Sequence, residues 1–199
     1  MNRDKFQLSM GDAPIKNCPT CCVGGVPCTW VCCQVYMRYQ VLNHVNPGSG
    51  WDNYVCCQGY TGKCCCFQPG SCCESTCPCP CMTLEAICCP GAAVSSTRFV
   101  IMDQYRLMAD ECDNRIIRFN NCIQVLACCC SCAAAISDIK CFEELAYILH
   151  IISEIVFCCT AGCMTSQVAY EMKYRETLIG GASVPGGVEN PVMAKPMCL

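Results

Sequence analysis

Cysteine is the residue type able to do chemistry in this chain. It supplies 29 of 199 residues, and 18 of those lie between Cys18 and Cys89. A thiolate can ligate a metal ion or pair as a disulfide, whereas a packed core needs few such small side chains. Many of the thiols are vicinal: Cys21-Cys22, Cys32-Cys33, Cys56-Cys57, Cys64-Cys65-Cys66, Cys72-Cys73 and Cys88-Cys89. Adjacent side chains rarely reach disulfide geometry with each other, and an odd total leaves one thiol over under full pairing. The expected ligand pool is these residues with Cys18, Cys28, Cys77, Cys79 and Cys81. The expected cofactor is zinc, two or more structural ions. Disulfides and unliganded buried thiols are the alternatives.

Within that pool, Cys18-Pro-Thr-Cys21 followed by Gly24-Gly25 has the form of a zinc knuckle, in which two thiolates reach one tetrahedral ion and glycines turn backbone amides toward sulfur. The run from Cys72 to Cys81 carries Pro78 and Pro80, which are expected to hold the chain extended. The spaced runs of iron–sulfur ferredoxins are absent, and four thiolates with no open position suit zinc. Cys122, Cys128 and Cys141 fall in helical stretches and are expected to be apolar filler.

Catalytic constellations are poor. There are two histidines. His44 is expected in an exposed loop. Glu143, Tyr147, His150 and Glu154 recur at helical spacing on an otherwise apolar helix. Such a stripe suits a solvated or partner-facing surface, and the His–Glu pair four apart also has metal-ligand spacing. A cysteine nucleophile needs a nearby base, so no enzymatic activity is expected.

The elements that would position these residues fall into four stretches: an extended arm over 1–17, a cysteine-rich β/turn region over 18–92, a helical region over 93–178 and a Gly/Pro-rich tail over 179–199. From Thr29 to Leu42, Val31, Cys33, Val35, Met37, Tyr39 and Val41 alternate with Gln34, Arg38 and Gln40, which predicts a half-buried strand. The turn Asn46-Pro-Gly-Ser-Gly50 leads to a second, antiparallel strand over about 53–59. Helices are expected over 95–108, 114–136 (capped by Asp113), 142–159 and 164–176. The predicted fold is α+β: a small antiparallel β/turn region stapled by metal, then a bundle of about four helices.

Charged residues make up 15% of the chain, below the roughly 25% usual for soluble domains, so much apolar surface must be covered by core, partner or bilayer. The formal charge of −3 with no basic tract argues against nucleic acid. The first ten residues lack a secretory pattern, which predicts the cytoplasm or the cytoplasmic face of a membrane, where thiols stay reduced. Residues 145–164 are long enough to span a bilayer and 122–136 are shorter, so membrane contact is possible. The arm and the tail are expected to dock onto other proteins of a larger assembly.

Cys77-Pro-Cys79, then Arg98, Tyr105-Arg-Leu107, Cys112-Asp113, and the closing Cys158-Cys159, Cys163, Gln167 and Glu171 resemble the placenta-specific-eight family, which includes plant cadmium-resistance proteins and cell-number regulators. The resemblance covers about residues 72–175, with about forty-five residues between the Cys-Asp pair and the closing element. It implies a eukaryotic, non-enzymatic, cysteine-rich protein, often membrane-associated and linked to metal handling or growth control. The leading expectation is a zinc-stapled structural or interaction subunit. The alternative is a membrane-associated protein handling divalent metal ions, as the resemblance implies.

Overall fold

The computed structural model describes residues 4–62, 69–70, 74–137 and 140–181, with side chains as far as Leu178. The α+β expectation does not hold. Among the described residues there are seven helices: α1 (Ala13–Lys16), α2 (Cys18–Gly25), α3 (Pro27–Val45), α4 (Pro78–Cys88), α5 (Pro90–Tyr105), α6 (Glu111–Ile136) and α7 (Lys140–Gly181). The sheet is one parallel pair of two-residue strands, β1 (Asp4–Lys5) and β2 (Leu107–Met108).

Each correction has a local cause. The predicted strand over 29–42 is helical and lies within α3, because its buried residues are Trp30, Cys33, Gln34, Met37, Arg38, Val41 and Leu42. Those positions follow a period of 3.6, not 2. The predicted second strand is replaced by 3-10 turns at Gly50–Asn53 and Cys56–Gly59. Pro78 and Pro80 start a helix instead of preventing one. Both lie in the first turn of α4, where amide N–H groups have no intrahelical partner to lose. Asp113 is not the cap of α6, which begins at Glu111. The third and fourth predicted helices are one 42-residue helix, α7, running straight through Gly162.

Helix α7 is the spine of the molecule. Its Ala161, Cys163 and Met164 join Leu8, Met10, Ala13, Trp30 and Val94 in one core cluster. Its Val168 and Met172 join Cys33, Met37, Val41, Ile101 and Leu107 in a second. A third cluster of Leu42, Tyr54, Met82, Ala86 and Ala93 holds α4 and α5 against α3. Helix α2 crosses α7 at very close range. A Cβ on Gly162 would collide with the Cys21 carbonyl, and one on Gly25 would lie 2.6 Å from the Cys158 carbonyl oxygen. Gly24-Gly25 therefore let α2 cross α7 at this range.

Helices α6 and α7 extend from this body as an antiparallel hairpin. Among described residues from 121 to 159, only Ala127, Ala146 and Ser153 are buried.

Candidate functional site

The proposed metal ligands are dispersed. Cys18 and Cys21 do not share a site: the Cys18 sulfur lies 3.8 Å from that of Cys22, and Cys21 turns inward to lie 3.8 Å from Cys163. Cys28 and Cys32 are exposed on α3 while Cys33 is buried. Cys77 and Cys79 are exposed at the start of α4, Cys81 is half-buried, and Cys88 and Cys89 are exposed at its end. Cys64, Cys65, Cys66, Cys72 and Cys73 lie outside the described residues. Among the described residues, one group of three ligand types converges, Cys56, Cys57 and Glu85, with ligand atoms within 4.8 Å of one another.

That group sits in a buried network around Arg38. The guanidinium donates from Nε to Thr97 Oγ1 at 2.9 Å, and from Nη2 to Glu85 Oε1 and the Ala93 carbonyl, both at 2.9 Å. Glu85 Oε2 accepts from the Tyr54 hydroxyl at 2.9 Å and the Cys57 amide at 2.8 Å. Cys57 and Gln58 both adopt φ of 48°, a left-handed conformation that costs non-glycine residues about 1–3 kcal/mol each. The Gln58 side chain holds it by accepting from the Val55 amide at 3.1 Å and from Arg38 Nη1 at 3.3 Å.

The chemistry of this cluster favours structure over ligation. Glu85 already accepts from Arg38, Tyr54 and Cys57, so little lone-pair capacity remains for a cation. Burial, the neighbouring thiol and the Glu85 carboxylate push the Cys56 thiol above its ordinary range. Burial and Glu85 do the same to Cys57.

A second network ties the arm to the body. Arg98 donates from Nη2 to Asp113 Oδ2 at 3.1 Å and from Nε to Gln167 Oε1 at 2.8 Å. Gln167 Nε2 bridges Asp113 Oδ2 at 2.8 Å and the Leu8 carbonyl at 2.7 Å. Asp113 Oδ1 accepts the Met10 amide, and Glu171 Oε2 the Gln7 amide, each at 2.9 Å. Arg98, Asp113, Gln167 and Glu171, four of the residues behind the family resemblance, thus meet in one buried cluster clamping residues 7–10. Within this chain, Leu8 and Met10 of the arm are core residues. The tail beyond 181 lies outside the described residues.

His44 is not the exposed loop residue expected. Its side chain is 8% exposed at the end of α3, with Nε2 2.6 Å from the Tyr105 hydroxyl and Nδ1 3.4 Å from Glu176 Oε1. Both ring nitrogens face a partner, Tyr105 at the end of α5 and Glu176 on α7.

The hairpin is the most unusual surface. Its internal seam is formed by Asp113, Asn120 and Ala127 on α6 and by Ala146, Ser153, Thr160 and Gln167 on α7, each set at seven-residue intervals and all buried. Gln124 Nε2 donates to the Ser153 carbonyl across it at 2.8 Å. The large apolar side chains point outward: Phe119, Val125, Leu126 and Ile136 on α6, and Leu145, Ile148, Ile151, Ile152 and Ile155 on α7. Small and polar residues are inside and large apolar ones outside, the inverse of a hairpin built for water and the arrangement that lipid favours. By length and composition α6 and α7 are each able to cross a membrane, and α2 with α3 would form a third, bent span. The stripe Glu143, Tyr147, His150 and Glu154 lies exposed on the flank of α7 beside the seam.

Sequence reasoning missed the Arg38–Glu85 pair and the outward-facing hairpin. The signal for the first was two polar residues four apart, Gln34 and Arg38, inside an apolar run. The signal for the second was the absence of charge between Arg118 and Asp138. Comparison with known proteins finds no matching family model, no similar curated protein and no similar solved structure.

Proposed function

We propose that this is a non-enzymatic membrane protein whose α6–α7 hairpin crosses the bilayer and whose cysteine-rich helical body rests at its face, a membrane-associated protein handling divalent metal ions of the kind the family resemblance implies. The observation that carries the reading is the inverted hairpin. Residues 119–137 contain no charged side chain. As a helix they rise about 28 Å, against a hydrocarbon core about 30 Å thick. In water this hairpin would leave eleven large apolar residues from Phe119 to Ile155 exposed, far beyond the scattered exposure normal for a soluble surface.

The segment that departs from the resembled family is this same stretch. The roughly forty-five residues between Cys112-Asp113 and Cys158-Cys159 are the hairpin itself. The ends they separate are rejoined at its base, where Asp113 meets Gln167. An inserted hairpin accounts for the spacing without disturbing the cluster. A zinc-stapled scaffold, the other reading of the cysteines, has less support, since Glu85 in the group that converges among the described residues is committed to Arg38.

Alkaline carbonate extraction tests the membrane reading. The wild-type chain should stay in the membrane pellet. Ile148→Lys with Ile152→Lys places two charges mid-hairpin at about 2.5–3.5 kcal/mol each and should move most of the chain to the supernatant or abolish insertion. A wild-type chain released by carbonate would refute the reading.

A further inference from the structure

Resting on that membrane reading, one feature of the hairpin is out of place. His150 and Glu154 lie on α7 in the middle part of the crossing, with side chains 66% and 59% exposed. Glu154 is the one Asp, Glu, Lys or Arg between Glu144 and Glu171. An ionisable side chain facing hydrocarbon is costly by several kcal/mol, and such residues normally face protein or water and mark an ion site. Within one chain they face neither.

The pair has the geometry of half a metal site. His150 Nδ1 and Glu154 Oε1 are 4.0 Å apart. Ligands of a tetrahedral zinc ion, with metal–ligand distances of about 2.0–2.2 Å, are separated by about 3.4 Å, so a small rotamer adjustment brings both atoms onto one ion. Two ligands per chain leave the site half complete. A second copy inserted in the same orientation and related by a two-fold axis along the membrane normal presents its own His150 and Glu154 at the same depth. Charge decides between an empty and a filled interface. Without a cation, two carboxylates meeting in low dielectric must repel or take up protons. With one divalent ion, two carboxylates and two neutral imidazoles, the site is electroneutral, as hydrocarbon demands.

We propose that two copies of this chain associate through this flank of α7, and that His150 and Glu154 from each hold one divalent cation of the zinc class within the membrane. Ile151, exposed beside the pair, packs at the same interface. The site uses no cysteine, which separates it from the thiols elsewhere in the chain. An oxygen- and nitrogen-donor set favours zinc over the hard ions calcium and magnesium, which prefer six or more oxygens.

The test is photocrosslinking of the full-length chain in native membranes, with benzoylphenylalanine replacing Ile151 and zinc or magnesium ions added after chelation. Crosslinked dimer, not zinc content, is read, because the thiols also take up zinc. Dimer should rise with zinc and not with magnesium. Glu143→Gln, on the same stripe but outside the pair, should behave like wild type. His150→Ala and Glu154→Gln each remove a ligand from an exposed position that the fold does not use. Each should raise the zinc concentration for half-maximal dimer by no less than the roughly 10–100-fold that losing even an outer partner costs. Dimer formed without metal, dimer insensitive to both variants, or no dimer from a carbonate-resistant chain would each overturn the site. Carbonate release of the wild type, scored before any zinc is added, would overturn the membrane reading and the site with it. The two failures are thereby distinguished.

Discussion

Asp113 accepts three hydrogen bonds from three separate parts of the chain. It is fully buried, and its carboxylate accepts from Arg98, Gln167 and the Met10 amide, so one side chain joins the arm, α5, α6 and α7. Removing it leaves a buried guanidinium without its counter-ion, a class of change that costs about 3–5 kcal/mol. We expect Asp113→Ala to lower the unfolding free energy by that order in detergent denaturation. Arg98→Leu combined with Asp113→Leu should recover part of the loss, because both charges leave together. If the single variant matched wild type, the cluster would not be a stabilising unit. Sequence alone singled out Arg98, Asp113, Gln167 and Glu171 through the family resemblance. It did not reveal that these residues serve one buried network, because hydrogen-bond partners 15 to 164 positions apart leave no local pattern.

Between elements, the crossing of α2 over α7 is set by glycine. Since a Cβ on Gly162 would run into the backbone of α2, relief requires the helices to separate. Gly162→Ala should therefore destabilise by about 1–3 kcal/mol, despite alanine's better helix propensity. Gly91→Ala, whose Cβ would only touch the Phe157 ring at 3.9 Å, should be neutral or stabilising. Thermal unfolding of the two variants checks this, and equal midpoints would refute the close crossing. The same elements mark where the sequence was legible. Helices α5, α6 and α7 were predicted over most of their length, since their apolar runs are long and free of proline. Helix α3 was read as a strand because Gln34 and Arg38 were placed on a solvent face. Both are buried, at 1% and 0% exposure, and with them counted inside, the period becomes helical. The arm's docking and the inverted hairpin could not be read locally, because apolar residues give the same pattern facing a core or facing lipid.

For the whole molecule, the charge distribution together with the proposed membrane reading predicts an orientation. Lys140, at the hairpin tip, is the one basic residue between Arg118 and Lys173. Arg115 and Arg118 flank the hairpin on the body side, and acidic Glu143 and Glu144 lie near the tip. Lysine and arginine collect on the cytoplasmic side of spanning segments, so the proposed membrane reading predicts a cytoplasmic body and a tip across the membrane. A glycosylation sequon inserted beside Asp138 should then be modified when the chain is made with microsomes, while one inserted beside Ser49 should not. The reverse pattern would invert the topology. A cytoplasmic body also accords with reduced thiols, since that compartment keeps cysteines unpaired.

The clamp on the arm also imposes a timetable. Leu8 and Gln167 are 159 positions apart, and Gln7 and Glu171 are separated by 164. A ribosome adding roughly 5–20 residues per second needs on the order of ten to thirty seconds between making the arm and making the residues that hold it. Throughout that interval Leu8 and Met10 lack the α7 part of their core cluster, Ala161, Cys163 and Met164, and the hairpin is synthesised before it is complete. Residues 7–10 are consequently made long before Gln167 and Glu171, the side chains that hold them, so this clamp closes late in synthesis or after it.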